Sequence, residues 1–108
     1  MGAGIYEDVA TSIESSIEEI PSALALVQNY PNPFNPSTAI MYMLPVSGHV
    51  RLAVYDMAGR EIETLVDGWR PAGEHTENFS ASGLATGTYV YRLTTSTQSL
   101  SRTMTIVR

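Results

Sequence analysis

Val50-Arg51-Leu52-Ala53-Val54-Tyr55-Asp56-Met57-Ala58-Gly59-Arg60 reads as a strand running into a hairpin turn. Val50, Leu52 and Val54 alternate with Arg51, Ala53 and Tyr55, and a period of two sends successive side chains to opposite faces of a half-buried strand. Asp56-Met57-Ala58-Gly59 supplies the turn, with Gly59 free to take a positive φ. Arg60 to Val66 returns as the partner strand, ended by Asp67-Gly68.

The same reading extends outward in both directions. Upstream, Ile40, Tyr42 and Leu44 alternate with Ala39, Met41 and Met43, so both faces are largely apolar, as in a central strand. Pro45 to Gly48 makes the next turn, and Leu24 to Gln28 is a first short apolar run. Downstream, a loop from Trp69 to Gly73 leads into a strand over His75 to Phe79. Beyond Gly83 and Gly87, Tyr89, Tyr91 and Leu93 alternate with Val90, Arg92 and Thr94. The last run, Leu100 to Val107, places Met104 and Ile106 on one face. Short strands with turns about every 8–12 residues predict an all-β, immunoglobulin-like, seven-stranded antiparallel β-sandwich over residues 23–108. Leu84-Ala85-Thr86-Gly87-Thr88-Tyr89 has the pattern of a tyrosine corner, with Tyr89 as its tyrosine.

Between the first two strands lies Tyr30-Pro31-Asn32-Pro33-Phe34-Asn35-Pro36-Ser37-Thr38. Its prolines fix φ, remove main-chain donors and push Tyr30, Asn32 and Asn35 toward extended conformations. Neither a helix nor a central strand tolerates that loss of donors. The segment predicts a stiff elbow carrying two aromatic rings, with Phe34 anchoring it to one end of the sandwich.

Residues 1–22 differ from the rest. They hold Glu7, Asp8, Glu14, Glu18 and Glu19 without a base, while the remainder balances six acids with six arginines. The net charge of −5 therefore sits wholly in this segment. Ile5, Val9, Ile13, Ile17, Ile20 and Leu24 recur at helical spacing, and two capping-box patterns precede Glu14 and Glu18. The segment reads either as an acidic linker or as a short amphipathic helix, closed by Pro21 in both cases. Met1-Gly2-Ala3-Gly4 reads as a cloning remnant. The charge break makes residues 1–22 dispensable for the sandwich.

A body with balanced charge and no basic stripe argues against nucleic-acid binding. No apolar run is long enough to span a bilayer, and the absence of cysteine removes disulfides and thiolate metal sites. His49 and His75 are too isolated to suggest a metal centre; His49 reads as solvent-facing and His75 as a packed strand residue. Glu61 and Glu63 share strand parity, but their pattern is that of an exposed face. No nucleophile–base set or phosphate loop is discernible, so neither catalysis nor a cofactor is expected. Asn78-Phe79-Ser80 matches a glycosylation acceptor only formally, because it falls within a strand.

The order of these residues resembles the C-terminal sorting domain of proteins exported by the bacterial type IX secretion system. The resemblance covers Leu24 to Arg108. It is carried by Leu26-Val27-Gln28-Asn29 and the proline elbow, then by Val54-Tyr55-Asp56, Gly59-Arg60-Glu61, Leu65-Val66, Gly68, Ala72-Gly73 and His75. Gly83-Leu84-Ala85, Gly87, Tyr89, Tyr91-Arg92-Leu93 and Met104 complete it. It departs at Glu77, where members tend to be apolar, and at Phe79-Ser80, where many carry Trp-Asp. Both departures bear on how far the fifth strand is buried.

The resemblance implies a non-catalytic address label on an otherwise unrelated upstream cargo. It implies recognition by an outer-membrane translocon, removal by a surface sortase, and passage through the periplasm to the surface or exterior of a Gram-negative cell. The implied recognition set is Pro31, Asn32, Pro33, Phe34, Gly59, Gly87, Tyr89, Arg102 and Arg108, with the two arginines exposed and contributing little to folding. Two other readings stay open. Trp69, Tyr42 and Tyr55 form a carbohydrate-stacking platform, or else the tyrosines pack between the sheets and Trp69 covers one end of the core. The domain is otherwise a passive immunoglobulin-like spacer, since fold alone does not set function.

Overall fold

The structure is a computed structural model and describes residues 23–108. The expectations for residues 1–22, linker or helix, lie outside the described residues. Seven strands follow in order: β1 (Ala25–Leu26), β2 (Ser37–Leu44), β3 (Gly48–Asp56), β4 (Glu61–Arg70), β5 (Gly73–Ser80), β6 (Gly87–Thr94) and β7 (Ser99–Ile106). They form two antiparallel sheets in the orders β1-β2-β5 and β4-β3-β6-β7. This is the all-β, immunoglobulin-like sandwich that the alternating pattern predicts.

The inward residues are those that the period of two selects. Ile40, Tyr42 and Leu44 of β2 face Val50, Leu52 and Val54 of β3, Tyr91 and Leu93 of β6, and Met104 and Ile106 of β7 across a closed core. Strand β5 contributes one fully buried side chain, Phe79. Glu77 shares the inward parity of Phe79 and is half-buried. It stays hydrated at the edge and accepts a hydrogen bond from the Tyr42 hydroxyl at 3.3 Å. His75, directly opposite Tyr42, stacks on its ring at 5.2 Å and contacts the Pro71 carbonyl at 2.8 Å. The tyrosine corner is present: Tyr89 donates from its hydroxyl to the Ala85 carbonyl at 2.8 Å.

Two boundaries differ from expectation. Strand β4 does not end at Val66 but runs on to Arg70, so Trp69 lies on a strand and not in a loop. The cause is tertiary pairing, because Asp67, Gly68, Trp69 and Arg70 match Arg51, Val50, His49 and Gly48 on β3. Two irregularities earlier in the ladder, at Leu52/Ala53 and Val54/Tyr55, keep that register. Strand β1 is shorter than Leu24 to Gln28. The Asn29 N–H leaves the ladder for the Tyr91 hydroxyl of the opposite sheet, at 2.8 Å, and Gln28 reaches the Thr103 carbonyl at 2.8 Å.

Burial, and after it the Glu77 carboxylate, push the Tyr42 hydroxyl up to about 12. The folded state therefore holds this proton to a higher pH than the unfolded chain does. The resulting stability is fully present below about pH 10, where an unfolded tyrosine begins to ionise, and is lost as pH rises toward about 12. Two units correspond to roughly 2–3 kcal/mol. Urea midpoints between pH 9 and 12 are expected to fall more steeply for the parent protein than for Tyr42→Phe, and parallel curves would contradict this account.

Candidate functional site

Because β2 to β7 alternate in direction through short connections, the sandwich has two distinct ends. One carries Leu24 and the β2–β3, β4–β5 and β6–β7 turns. The other carries the proline elbow, the β3–β4 turn, the β5–β6 loop and the residues after β7. Strands of eight residues separate the ends by roughly 25 Å. From Leu24 the chain runs along β2, through Val27 N–H to Met41 O and the Tyr30–Ala39 bridge, and reaches the elbow at the far end.

Side chains and β7 replace the main-chain partners that the prolines deny the elbow. The Pro31 carbonyl accepts from Asn29 Nδ2 at 3.1 Å and Thr38 Oγ1 at 2.8 Å, and Asn29 Nδ2 also donates to Thr38 Oγ1 at 3.0 Å. Asn29 and Thr38 are the buried polar residues of the described chain, and no buried side-chain polar atom among the described residues lacks a partner. Across the sandwich, Phe34 donates its N–H to Thr105 O and accepts from Val107 N–H, both at 3.0 Å. Asn32 Oδ1 accepts from Thr105 N–H at 2.9 Å. These bonds set the Phe34 ring in the core, 2% exposed and edge-on to Phe79 at 6.1 Å.

Eight of the nine residues expected to form the recognition set gather at this far end. Pro31, Asn32 and Pro33 are exposed on the elbow. Gly59 sits in the β3–β4 turn at φ +90°, where only glycine is unstrained. The Asp56 carboxylate orders that turn through Arg60 N–H at 2.9 Å and Ala58 N–H at 3.0 Å, and these bonds, the Arg60 N–H foremost, hold it below the usual carboxylate range. Gly87 begins β6, and Tyr89 follows with its ring buried. Arg108 donates to the Ala81 carbonyl at 2.7 Å and to the Leu84 carbonyl, binding the β5–β6 loop. Phe34 and Tyr89 thus shape the surface from within and do not line it.

Arg102 stands apart, opposite Tyr91 in the middle of β7. It shares the parity of Met104, so its side chain turns toward the facing sheet and donates to the Leu26 carbonyl. Both arginines are exposed, as expected. Each nevertheless ties two segments together through main-chain acceptors, a role that the sequence did not display. Tyr30, outside the expected recognition set, is 81% exposed on the elbow. The sequence supplied two elbow aromatics but no signal for which one faces outward.

The aromatic platform is not formed. Tyr42 is fully buried between the sheets, as its β2 parity requires. Tyr55 lies on the outer face of the four-stranded sheet, beneath Arg92 at 5.2 Å and bonded to Arg51 at 3.1 Å. Trp69 pairs with His49, six residues from Tyr55 along β3 and so roughly 20 Å away. At 62% exposed, Trp69 does not cover the core either. His49 points to solvent and pairs with Asp67 at 2.9 Å, and Glu61 pairs with Arg51 at 2.6 Å. No cluster of metal-ligating side chains occurs among the described residues.

Residues 28–107 match the family described as a secretion system C-terminal sorting domain. No curated protein matches the chain. The matched span starts just ahead of the elbow and ends one residue before Arg108.

The Phe34 ring fills the space between Phe79 and the end of β7. Replacing a packed Phe with Ala typically costs about 3–5 kcal/mol. Phe34→Ala is expected to lower Tm by well over 10 °C for a domain of this size, roughly 4–8 °C per kcal/mol. A thermal melt that does not move would place the ring outside the core.

Proposed function

This chain belongs to the secretion system C-terminal sorting domain family and carries a type IX sorting signal, and from that membership we propose that its far-end surface is what an outer-membrane translocon reads. The observation that carries the proposal is the gathering of the elbow, the Gly59 turn, the start of β6 and Arg108 at the end opposite Leu24. A cargo domain joined upstream attaches at the Leu24 end and leaves this surface free. Pro31, Asn32, Pro33 and Gly59 present it directly, while Phe34, Gly87, Tyr89, Arg102 and Arg108 hold its parts in register. The family's sorting domains are not catalysts, and here the work is done by shape and main-chain display.

In this reading residues 1–22 are a connector and residues 23–108 the label. The label directs its cargo through the periplasm and across the outer membrane to the cell surface or beyond, and a surface sortase then removes it. All seven strands lie within residues 25–106, so a protein beginning at Ser22 is expected to keep the β-type circular dichroism spectrum and the parent Tm. Loss of either would mean that the Ile13, Ile17 and Ile20 stripe packs on the sandwich.

Export is the direct test. Fused behind a signal peptide and a neutral reporter in a cell with a functional type IX system, residues 23–108 are expected to carry the reporter out of the cell. A reporter left in the periplasm with the fusion intact would overturn the proposal. Arg102→Ala with Arg108→Ala removes hydrogen bonds worth about 0.5–1.5 kcal/mol each. The double variant is expected to lose several degrees of Tm and most of its export. Arg108→Lys, which keeps the charge but not the forked contact, separates charge reading from loop ordering: full export with a lowered Tm means that charge alone is read.

A further inference from the structure

We propose that the outer face of the four-stranded sheet binds a neutral oligosaccharide at the Leu24 end, with one pyranose ring stacked on Trp69. This site is not the Trp69, Tyr42 and Tyr55 platform, which the fold takes apart; its partners come from the register of β3, β4, β6 and β7. Trp69 is 62% exposed on a strand that is hydrogen-bonded along its length, so its ring is held by a rigid element. His49 lies directly opposite it, and Asp67 is two residues away on the same face. Asp67 Oδ1 is bonded to His49 Nε2 at 2.9 Å, while Oδ2 is 4.0 Å from Arg51 Nε and remains available to hydroxyl donors.

From Asp67 a polar row crosses the sheet in strict register: Asp67 opposite Arg51, Arg51 opposite Thr94, and Thr94 opposite Ser99. Asp67 thus offers a carboxylate beside Trp69, and Thr94 and Ser99 offer hydroxyls farther across the sheet, while the Arg51 guanidinium between them is turned to Tyr55, Glu61 and Thr64. A pyranose has an apolar face of C–H groups and a rim of hydroxyls. The first matches a single exposed aromatic ring, and the second matches the row beside it. A protein partner fits less well, because an interface core needs several contiguous apolar side chains. Trp69 is the one large apolar exposed side chain among the described residues of this sheet face at this end; Val46, also exposed, belongs to the β2–β3 turn.

Trp69 is the only tryptophan in the chain, so fluorescence excited selectively at the tryptophan band, beyond tyrosine absorption, reports on this site alone. Titration of the whole protein with cellohexaose, laminarihexaose and mannohexaose is expected to quench or blue-shift the emission with at least one of them, saturating in the millimolar range. Asp67→Ala, at an exposed position, is expected to weaken that response at least tenfold without changing Tm. Trp69→Ala, followed by calorimetry, is expected to abolish binding heat. An unchanged emission with all three sugars overturns the proposal, as does an equal response in the parent and Asp67→Ala, which would mean stacking without a built site. A spectral change produced only by outer-membrane protein extracts and not by the sugars would assign Trp69 to a protein contact and overturn it too. Export of the reporter is expected to be unaffected by Trp69→Ala, so either reading can fail without the other.

Discussion

The elbow is a segment that cannot hydrogen-bond like ordinary chain and yet must join two neighbouring strands of one sheet while docking on the last strand of the other. Prolines at 31, 33 and 36 each remove an N–H, while their carbonyls still need donors. Asn29 and Thr38 are buried to supply those donors to Pro31, and the Ala81 N–H supplies one to Pro36 at 2.7 Å. Phe34 gives its N–H to β7. The first and last parts of the sandwich are thereby joined. Tyr91 reinforces the joint from the core, donating to the Val27 carbonyl at 2.7 Å while accepting the Asn29 N–H. Burial raises the affinity of that hydroxyl for its proton, which keeps it a donor across the neutral range.

The strands were legible because alternation is a local signal. The run Val50 to Tyr55, the turn at Gly59 and the sixth strand after Gly87 all declare themselves without knowledge of their neighbours. The misread boundaries share one cause. Asp67-Gly68-Trp69-Arg70 has little intrinsic strand character and becomes strand only because β3 offers partners from Gly48 to Arg51. Leu24 to Gln28 fails in the opposite sense, since its later donors are drawn to the other sheet.

The far-end surface was legible as a set of residues but not as a geometry. Sequence order scatters Pro31, Gly59, Gly87 and Arg108 over most of the chain, and only the alternation of strand direction brings them to one end. Which members face outward depended on packing: Phe34 and Tyr89 turn in, and Tyr30 turns out. Exposure alone is a poor guide to what the two arginines touch. Arg102 and Arg108 are exposed along their stems, but their guanidinium groups end on carbonyls of other segments. Glu77 shows the same principle in reverse, an acid at an inward parity that is tolerated because Tyr42 meets it at the edge.

Strand β7 is the last to emerge during synthesis, yet it supplies Met104 and Ile106 to the core and the docking rail for the elbow. No earlier length of chain can close the sandwich, since its absence leaves the inward side of β6 and the Phe34 pocket open. The sandwich therefore assembles only once the whole domain is present, from contacts that span nearly its full length. A truncated polypeptide never displays the assembled surface.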